Sequence, residues 1–223
     1  MLNYILLCLL SVAICYFAGG IMFGVIISKL TSHDDIRNHG SGNAGATNML
    51  RVLGLKAGVI TFAFDMIKCF LALILCKYLI IIPASQGLEL NIIFQPQTVL
   101  YYCGFAALIG HSFPVLFKFK GGKAVAGSLG VLLCLDWQVA LSVLLVFVIV
   151  VVLTKTVSLG SIMGATQFIF ANFFVSSGLA FFPRLYINLW GLIIGGLVII
   201  RHKENITRLL KGEEKPISFK SKK

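Results

Sequence analysis

Apolar runs recur along this chain at lengths that suit a lipid bilayer and few other surroundings. They fall at about 4–28, 56–82, 98–117, 124–135, 138–153, 159–182 and 186–200. A helix rises 1.5 Å per residue, so about 20 apolar residues cross roughly 30 Å of hydrocarbon. Most of the runs meet that length. The run at 124–135, and to a lesser degree 186–200, is short and needs local thinning or burial among neighbours. Charged residues make up 12% of the chain and hydrophobic ones 58%, against about 25% charged in soluble domains. The apolar run at the start continues through Gly24 and Ile27 with no basic leader, which reads as a first span and not a signal peptide. The expected fold is all-α: a polytopic membrane bundle of about seven transmembrane helices. It forms a single integral-membrane domain over 1–211, followed by a loose polar tail over 212–223.

The charges orient this bundle. Apart from Lys68, Lys77 and Arg184, the 19 Lys and Arg residues lie at one set of span ends. The positive-inside rule then places the N-terminus outside and the C-terminus in the cytoplasm. It also requires a break near Asp136–Trp137, because one long helix over 124–153 would put Lys155 on the wrong side. A crossing and a re-entrant hairpin satisfy this equally. The net charge of +11 is topogenic on this reading, and nucleic acid is not an expected partner. The six cysteines (Cys8, Cys15, Cys69, Cys76, Cys103 and Cys134) lie in apolar runs without CxxC or Cys–His spacing. They read as small buried hydrophobes, with no metal site. Gly20/Gly24, Gly160/Gly164 and Gly191/Gly195 have the spacing of close helix packing.

The cytoplasmic ends carry the unusual chemistry. The first loop reads Arg37-Asn-His-Gly-Ser-Gly-Asn-Ala-Gly-Ala-Thr-Asn48, with Arg51 close behind. Glycines let successive N–H groups turn toward one centre, and Ser41, Asn43, Thr47 and Asn48 add donors. Such a nest before a helix suits a phosphate, and Arg51 adds bidentate charge. The bland alternative is a Gly/Ser/Asn turn. The second segment contains Gly121-Gly122-Lys123 opening a helix, which favours an anion. It is not a Walker A loop, since Ala124 replaces Ser or Thr and no glycine stands at position 117. Lys118 and Lys120 read as surface charges. In the third loop Ser158 reads as an N-cap. In the fourth region His202, Asn205 and Arg208 share one helical face beside Arg201. That face is either a hydrogen-bonding cationic surface or a solvated juxtamembrane helix. Asp65 and Lys68 sit three apart within a span, so they are functional groups or structural glue.

Three stretches together resemble the motifs of the bacterial acyl-phosphate glycerol-3-phosphate acyltransferases. They are Ser41-Gly-Asn-Ala-Gly-Ala-Thr-Asn48, Gly121-Gly-Lys123 with Val125-Ala126, and Arg201-His202 with Asn205-Ile206. Asp65 and Lys68, following Leu53-Gly54-Leu55-Lys56-Ala57-Gly58, extend the likeness over nearly the whole chain. The resemblance implies a seven-helix fold in the bacterial inner membrane with its active site at the cytoplasmic face. It implies acyl transfer from acyl phosphate to the 1-hydroxyl of sn-glycerol 3-phosphate. Lysophosphatidic acid and phosphate leave, with no cofactor, no metal and no obligatory protein partner beyond membrane lipids. It assigns phosphate binding to Ser41, Gly42, Asn43, Gly45, Thr47, Asn48, Arg51, Lys123, His202 and Asn205. Ser41, Lys123 and His202 are the catalytic candidates, supported by Asp65, Lys68, His111 and Arg201. The general base is His202, His111 or, preferred here, an oxygen of the substrate phosphate. One residue departs from the pattern: the family usually has glycine after the lysine, and this chain has Ala124. A left-handed backbone there costs alanine roughly 1 kcal/mol.

Rival readings remain. A transporter of a phosphorylated anion also uses basic loops and intramembrane charge, but its site belongs near the midplane between repeats, and none is seen. The soluble-type acyltransferase pattern His-x4-Asp does not occur after any of the four histidines. A membrane scaffold does not need loops this specialised.

Overall fold

The computed structural model describes residues 1–217. Among them every regular element is helical. The α-helices, in order, are α1 (Leu2–Gly19), α2 (Phe23–Ser32), α3 (Ala46–Leu53), α4 (Leu55–Cys76), α5 (Ile82–Ser85), α6 (Pro96–Ser112), α7 (Val125–Leu135), α8 (Trp137–Thr154), α9 (Val157–Val175), α10 (Phe181–Arg201) and α11 (Lys203–Leu210). Among these residues six helical segments are long and apolar enough to cross a membrane, and α7 is a shorter apolar helix. The chain is therefore a multi-pass membrane protein. At 11 residues, α7 spans about 16 Å, roughly half the hydrocarbon thickness.

Local chemistry sets the boundaries. The expected break after α7 is made by Asp136. Its carboxylate accepts from the N–H groups of Gln138 and Val139 at 2.9 and 3.1 Å, capping α8. The last span is longer than the expected 186–200, because α10 begins at Phe181 and takes Pro183 into its first turn. First-turn N–H groups have no intrahelical partner, so proline is tolerated there. The first span, expected to be continuous over 4–28, is interrupted between Gly19 and Phe23. Helical hydrogen bonding lapses there, and the carbonyl of Ile21 instead accepts from the Lys68 ammonium. Hydrocarbon offers no water to satisfy such a group.

The chain divides into two compact units at Asp136. In the first, α1 packs on α6 and α4 packs on α7 and α3. The α1–α6 approach is backbone to backbone. A Cβ on Gly19 would lie 2.0 Å from the Ala107 carbonyl oxygen, and one on Gly110 2.0 Å from that of Tyr16. The expected Gly20/Gly24 pair does not act as a unit, because the break separates them and Gly24 faces the Ala44 carbonyl of the first loop. All six cysteines are buried with free thiols. In the second unit α9 packs on α8 and α10. There the other two glycine pairs do bring helices close: Gly160 meets Val151 and Phe147 of α8, while Gly191 and Gly195 meet Asn172 and Ile169 of α9.

Gly110→Ala should therefore destabilise the protein in detergent by at least about 1–3 kcal/mol, since two backbones must separate. Gly196→Ala, whose Cβ would meet nothing within 4 Å, should be neutral or slightly stabilising. Thermal unfolding of the two variants side by side checks this; equal midpoints would contradict the packing.

Candidate active site

In the first unit, two loops at helix ends are tied together. The first loop is organised by Asn48, whose side chain is buried. Its Oδ1 accepts from the Ser41 N–H at 2.9 Å. Its Nδ2 donates to the carbonyls of Ile36, His39 and Asn43 at 3.2, 2.9 and 2.9 Å. Asn48, expected to hold phosphate, thus spends its amide on the loop's own backbone.

The N–H groups of Gly42 and Gly45 are also used internally, by the His39 carbonyl and by Asn43 Oδ1. The anticipated nest of N–H groups over Ser41–Gly45 is therefore largely self-satisfied. What the loop presents is the start of α3. Gly45 stands at its N-cap with no side-chain capping bond. Ser41 and Thr47 are exposed, and so is Arg51, one helical turn after Thr47 on the same face. An uncapped N-terminus with a hydroxyl and a guanidinium beside it suits an anion.

Arg37 clips this loop to the second. Its Nη1 donates to the carbonyls of Phe117 and Lys120 at 3.0 and 3.3 Å. Its other edge pairs with Asp35 at 2.7 Å. Hydrogen bonding from Arg37 holds the Asp35 carboxyl below its ordinary range, although partial burial opposes this. In the second loop, Lys118 and Phe119 both have left-handed backbones. Lys118 and Lys120 are exposed, as surface charges are. Gly122 donates its N–H to the His111 carbonyl at 3.0 Å. The helix α7 then opens two residues past Lys123, with Ala124 accepting from the Ser128 N–H. Lys123 therefore stands at the positive end of α7, as its spacing implied.

Ala124 is fully buried with φ +63°. This is the strain anticipated where the family pattern has glycine. Ala124→Gly should remove roughly 1–2 kcal/mol of left-handed strain and lose about 0.4–1 kcal/mol to a freer unfolded chain. A small net rise in unfolding temperature is expected, and a fall would show that the backbone there is not strained.

Asp65, Lys68 and His111 lie deeper, all buried. Lys68 Nζ is 2.7 Å from Asp65 Oδ1 and 3.2 Å from His111 Nδ1.

The second unit has its own polar cluster. Asn205 and Arg208 share a face of α11, as expected, and both donate to Glu214. Asn205 Nδ2 reaches Oε1 and Arg208 Nε reaches Oε2, each at 2.7 Å. Ser158, expected to cap α9, donates to Glu214 Oε1 at 2.8 Å instead, and Thr156 takes the N-cap position. His202 is buried and donates from Nδ1 to the Val198 carbonyl at 2.8 Å. Arg201 is half-buried at the end of α10. The start of the tail is thus pinned and not loose, with Ile217 also donating its N–H to the Lys155 carbonyl. The rest of the predicted tail, 218–223, lies outside the described residues. Sequence reasoning missed Glu214. Its only signal was an acidic pair, Glu213–Glu214, in an otherwise basic tail.

Burial raises the Glu214 pKa, but the bonds from Arg208, Asn205 and Ser158 outweigh it and leave the group below its ordinary range. A carboxyl lowered in the fold stabilises above its unfolded pKa and loses that contribution as pH falls through the folded value. Acid unfolding of the wild type should show this loss below the ordinary glutamate range, and Glu214→Gln should flatten it. Glu214→Ala, by orphaning buried donors, should cost about 2–4 kcal/mol at neutral pH.

Fold and loops together define a multi-pass helical membrane protein with anion-suited helix starts beside its spans. The chain matches the glycerol-3-phosphate acyltransferase family over residues 9–212. It is 41% identical over 214 residues to the glycerol-3-phosphate acyltransferase of Finegoldia magna, covering 96% of this chain and 97% of that one. It is 42% identical to that of Aquifex aeolicus, covering 92% and 97%. A crystal structure of PlsY (YgiH), an integral membrane glycerol 3-phosphate acyltransferase in its glycerol 3-phosphate form, superposes with TM-score 0.78 at 36% identity, over 95% of this chain and 96% of that one. The lysophosphatidic acid form superposes with TM-score 0.75. The chain belongs to the glycerol-3-phosphate acyltransferase family.

Proposed function

We propose that this protein transfers an acyl group from acyl phosphate to the 1-hydroxyl of sn-glycerol 3-phosphate, releasing lysophosphatidic acid and phosphate as the first step of phospholipid synthesis. Family membership supports the acylation and leaves the transporter reading without support. The observation that carries the site is the pairing of two helix starts in the first unit. The uncapped α3 with Ser41, Thr47 and Arg51 is clipped through Arg37 to the loop that presents Lys123 ahead of α7. Both starts concentrate donors where a phosphate's charge is best held.

Acyl phosphate brings its own leaving group, so no acyl-enzyme is required. The substrate hydroxyl attacks the acyl carbon directly, its proton passes to a phosphate oxygen, and the carbon–oxygen bond to phosphate breaks. Lys123 balances charge gathering on the departing phosphate, and the loops supply orientation. Asn43 and Asn48 act by shaping the first loop, with Gly42 and Gly45 at its turns. In the second unit, His202 and Asn205 are assigned to substrate contact by the resemblance. The basic span ends support a site at the cytoplasmic face of the inner membrane.

Purified protein given glycerol 3-phosphate should form lysophosphatidic acid with acyl phosphate and not with acyl-CoA. Lys123→Met should lower turnover by about 100-fold or more with an unchanged unfolding temperature. Product from acyl-CoA alone, or near-normal turnover in the variant, would overturn the scheme.

A further inference from the structure

The intramembrane residues Asp65, Lys68 and His111 form one connected buried group. Lys68 Nζ has three neighbours: Asp65 Oδ1 at 2.7 Å, His111 Nδ1 at 3.2 Å and the Ile21 carbonyl at the break between α1 and α2. His111 Nδ1 is 3.9 Å from Asp65 Oδ1. An ammonium only donates hydrogen bonds. Facing it, Nδ1 has to be the lone-pair nitrogen, and the ring proton has to be on Nε2. A second ring proton would set two cations 3.2 Å apart inside the bundle, with one carboxylate between them. The pairing of Asp65 with Lys68 thus selects the tautomer of a third residue.

That residue sits directly behind the Lys123 loop. A Cβ on Gly122 would lie 2.2 Å from His111 Nε2 and 3.0 and 3.1 Å from the two ring carbons beside it. A Cβ on Gly121 would lie 2.1 Å from the His111 carbonyl oxygen. The same carbonyl accepts the Gly122 N–H at 3.0 Å. Ring and backbone of one histidine therefore both define where Gly121 and Gly122 run, immediately before Lys123. Any change in the ring's orientation is felt by the loop.

We propose that Asp65 and Lys68 are positioning residues for acyl transfer: they hold His111 as the neutral tautomer protonated on Nε2, and through its ring and carbonyl they set the Gly121–Lys123 loop. His111 is then a hydrogen-bond donor on its loop-facing edge and is unsuited to serve as the general base. His202 has the opposite arrangement, since its Nδ1 donates to the Val198 carbonyl. The proposal rests on the reading of Lys123 as the charge-bearing group of the site.

Two measurements test it. In 15N-histidine spectra of the wild-type protein, with the signal assigned by its loss in His111→Gln, His111 should show the neutral Nε2–H form at neutral pH. An Nδ1–H form or an imidazolium overturns the proposal, and this readout does not depend on catalysis or on the double variant. The double variant Asp65→Asn/Lys68→Gln keeps hydrogen-bonding groups and removes both charges. It should lower kcat/KM for glycerol 3-phosphate by about 10- to 100-fold, the effect expected of a displaced loop. It should also bring a second His111 tautomer into the spectrum. A folded double variant with wild-type kcat/KM overturns the proposal. A wild-type protein that forms no lysophosphatidic acid defeats the functional reading instead, and the spectra still report the tautomer.

Discussion

A single ammonium joins the parts of the first unit. Lys68 lies within a membrane helix, where neither a bare charge nor a bare carbonyl is tolerable. It satisfies the Ile21 carbonyl left open where α1 gives way to α2, neutralises Asp65 and faces His111. The break redirects the chain into α2 and thence into the first loop. The contact with His111 reaches the second loop. Both loops that carry donors thus depend on one buried cation and its carboxylate, and removing either partner alone would leave a buried charge uncompensated.

The loops illustrate how the donors in a sequence motif differ from the donors a fold leaves exposed. The sequence marked the Gly- and Asn-rich stretch as a candidate for holding an anion, but the division of labour within it was not legible. Asn48 and the Gly42 and Gly45 amides are consumed in folding the loop. The exposed donors are Ser41, Thr47, Arg51 and the start of α3. Which donor faces inward depends on Asn48 reaching back as far as Ile36, a contact no local spacing encodes. The left-handed backbone at Ala124, by contrast, was foreshadowed by the resemblance, because the family usually has glycine there and glycine suits that conformation.

Glu214 marks where sequence reading ended. Its partner Ser158 is 56 residues away, and Ser158 had an adequate local explanation as a helix cap. A carboxylate that binds Ser158, Asn205 and Arg208 turns an apparently loose tail into a structural strap within the second unit. It also explains why the cationic face of α11 is not simply solvated.

The sequence by itself determined the environment and the class: apolar runs of bilayer length, positive charges at one set of ends, and motif residues in an order and spacing that identify the family. These are properties of composition and local pattern, which survive without knowledge of contacts. Only the tertiary structure decided which polar groups are spent on the fold and which are left for a substrate. Most buried donors and acceptors find a partner, and at Asn48, Lys68 and Glu214 those partners include residues distant in the chain. The tautomer of His111 is the sharpest case, since it is set by a lysine 43 positions earlier on another helix.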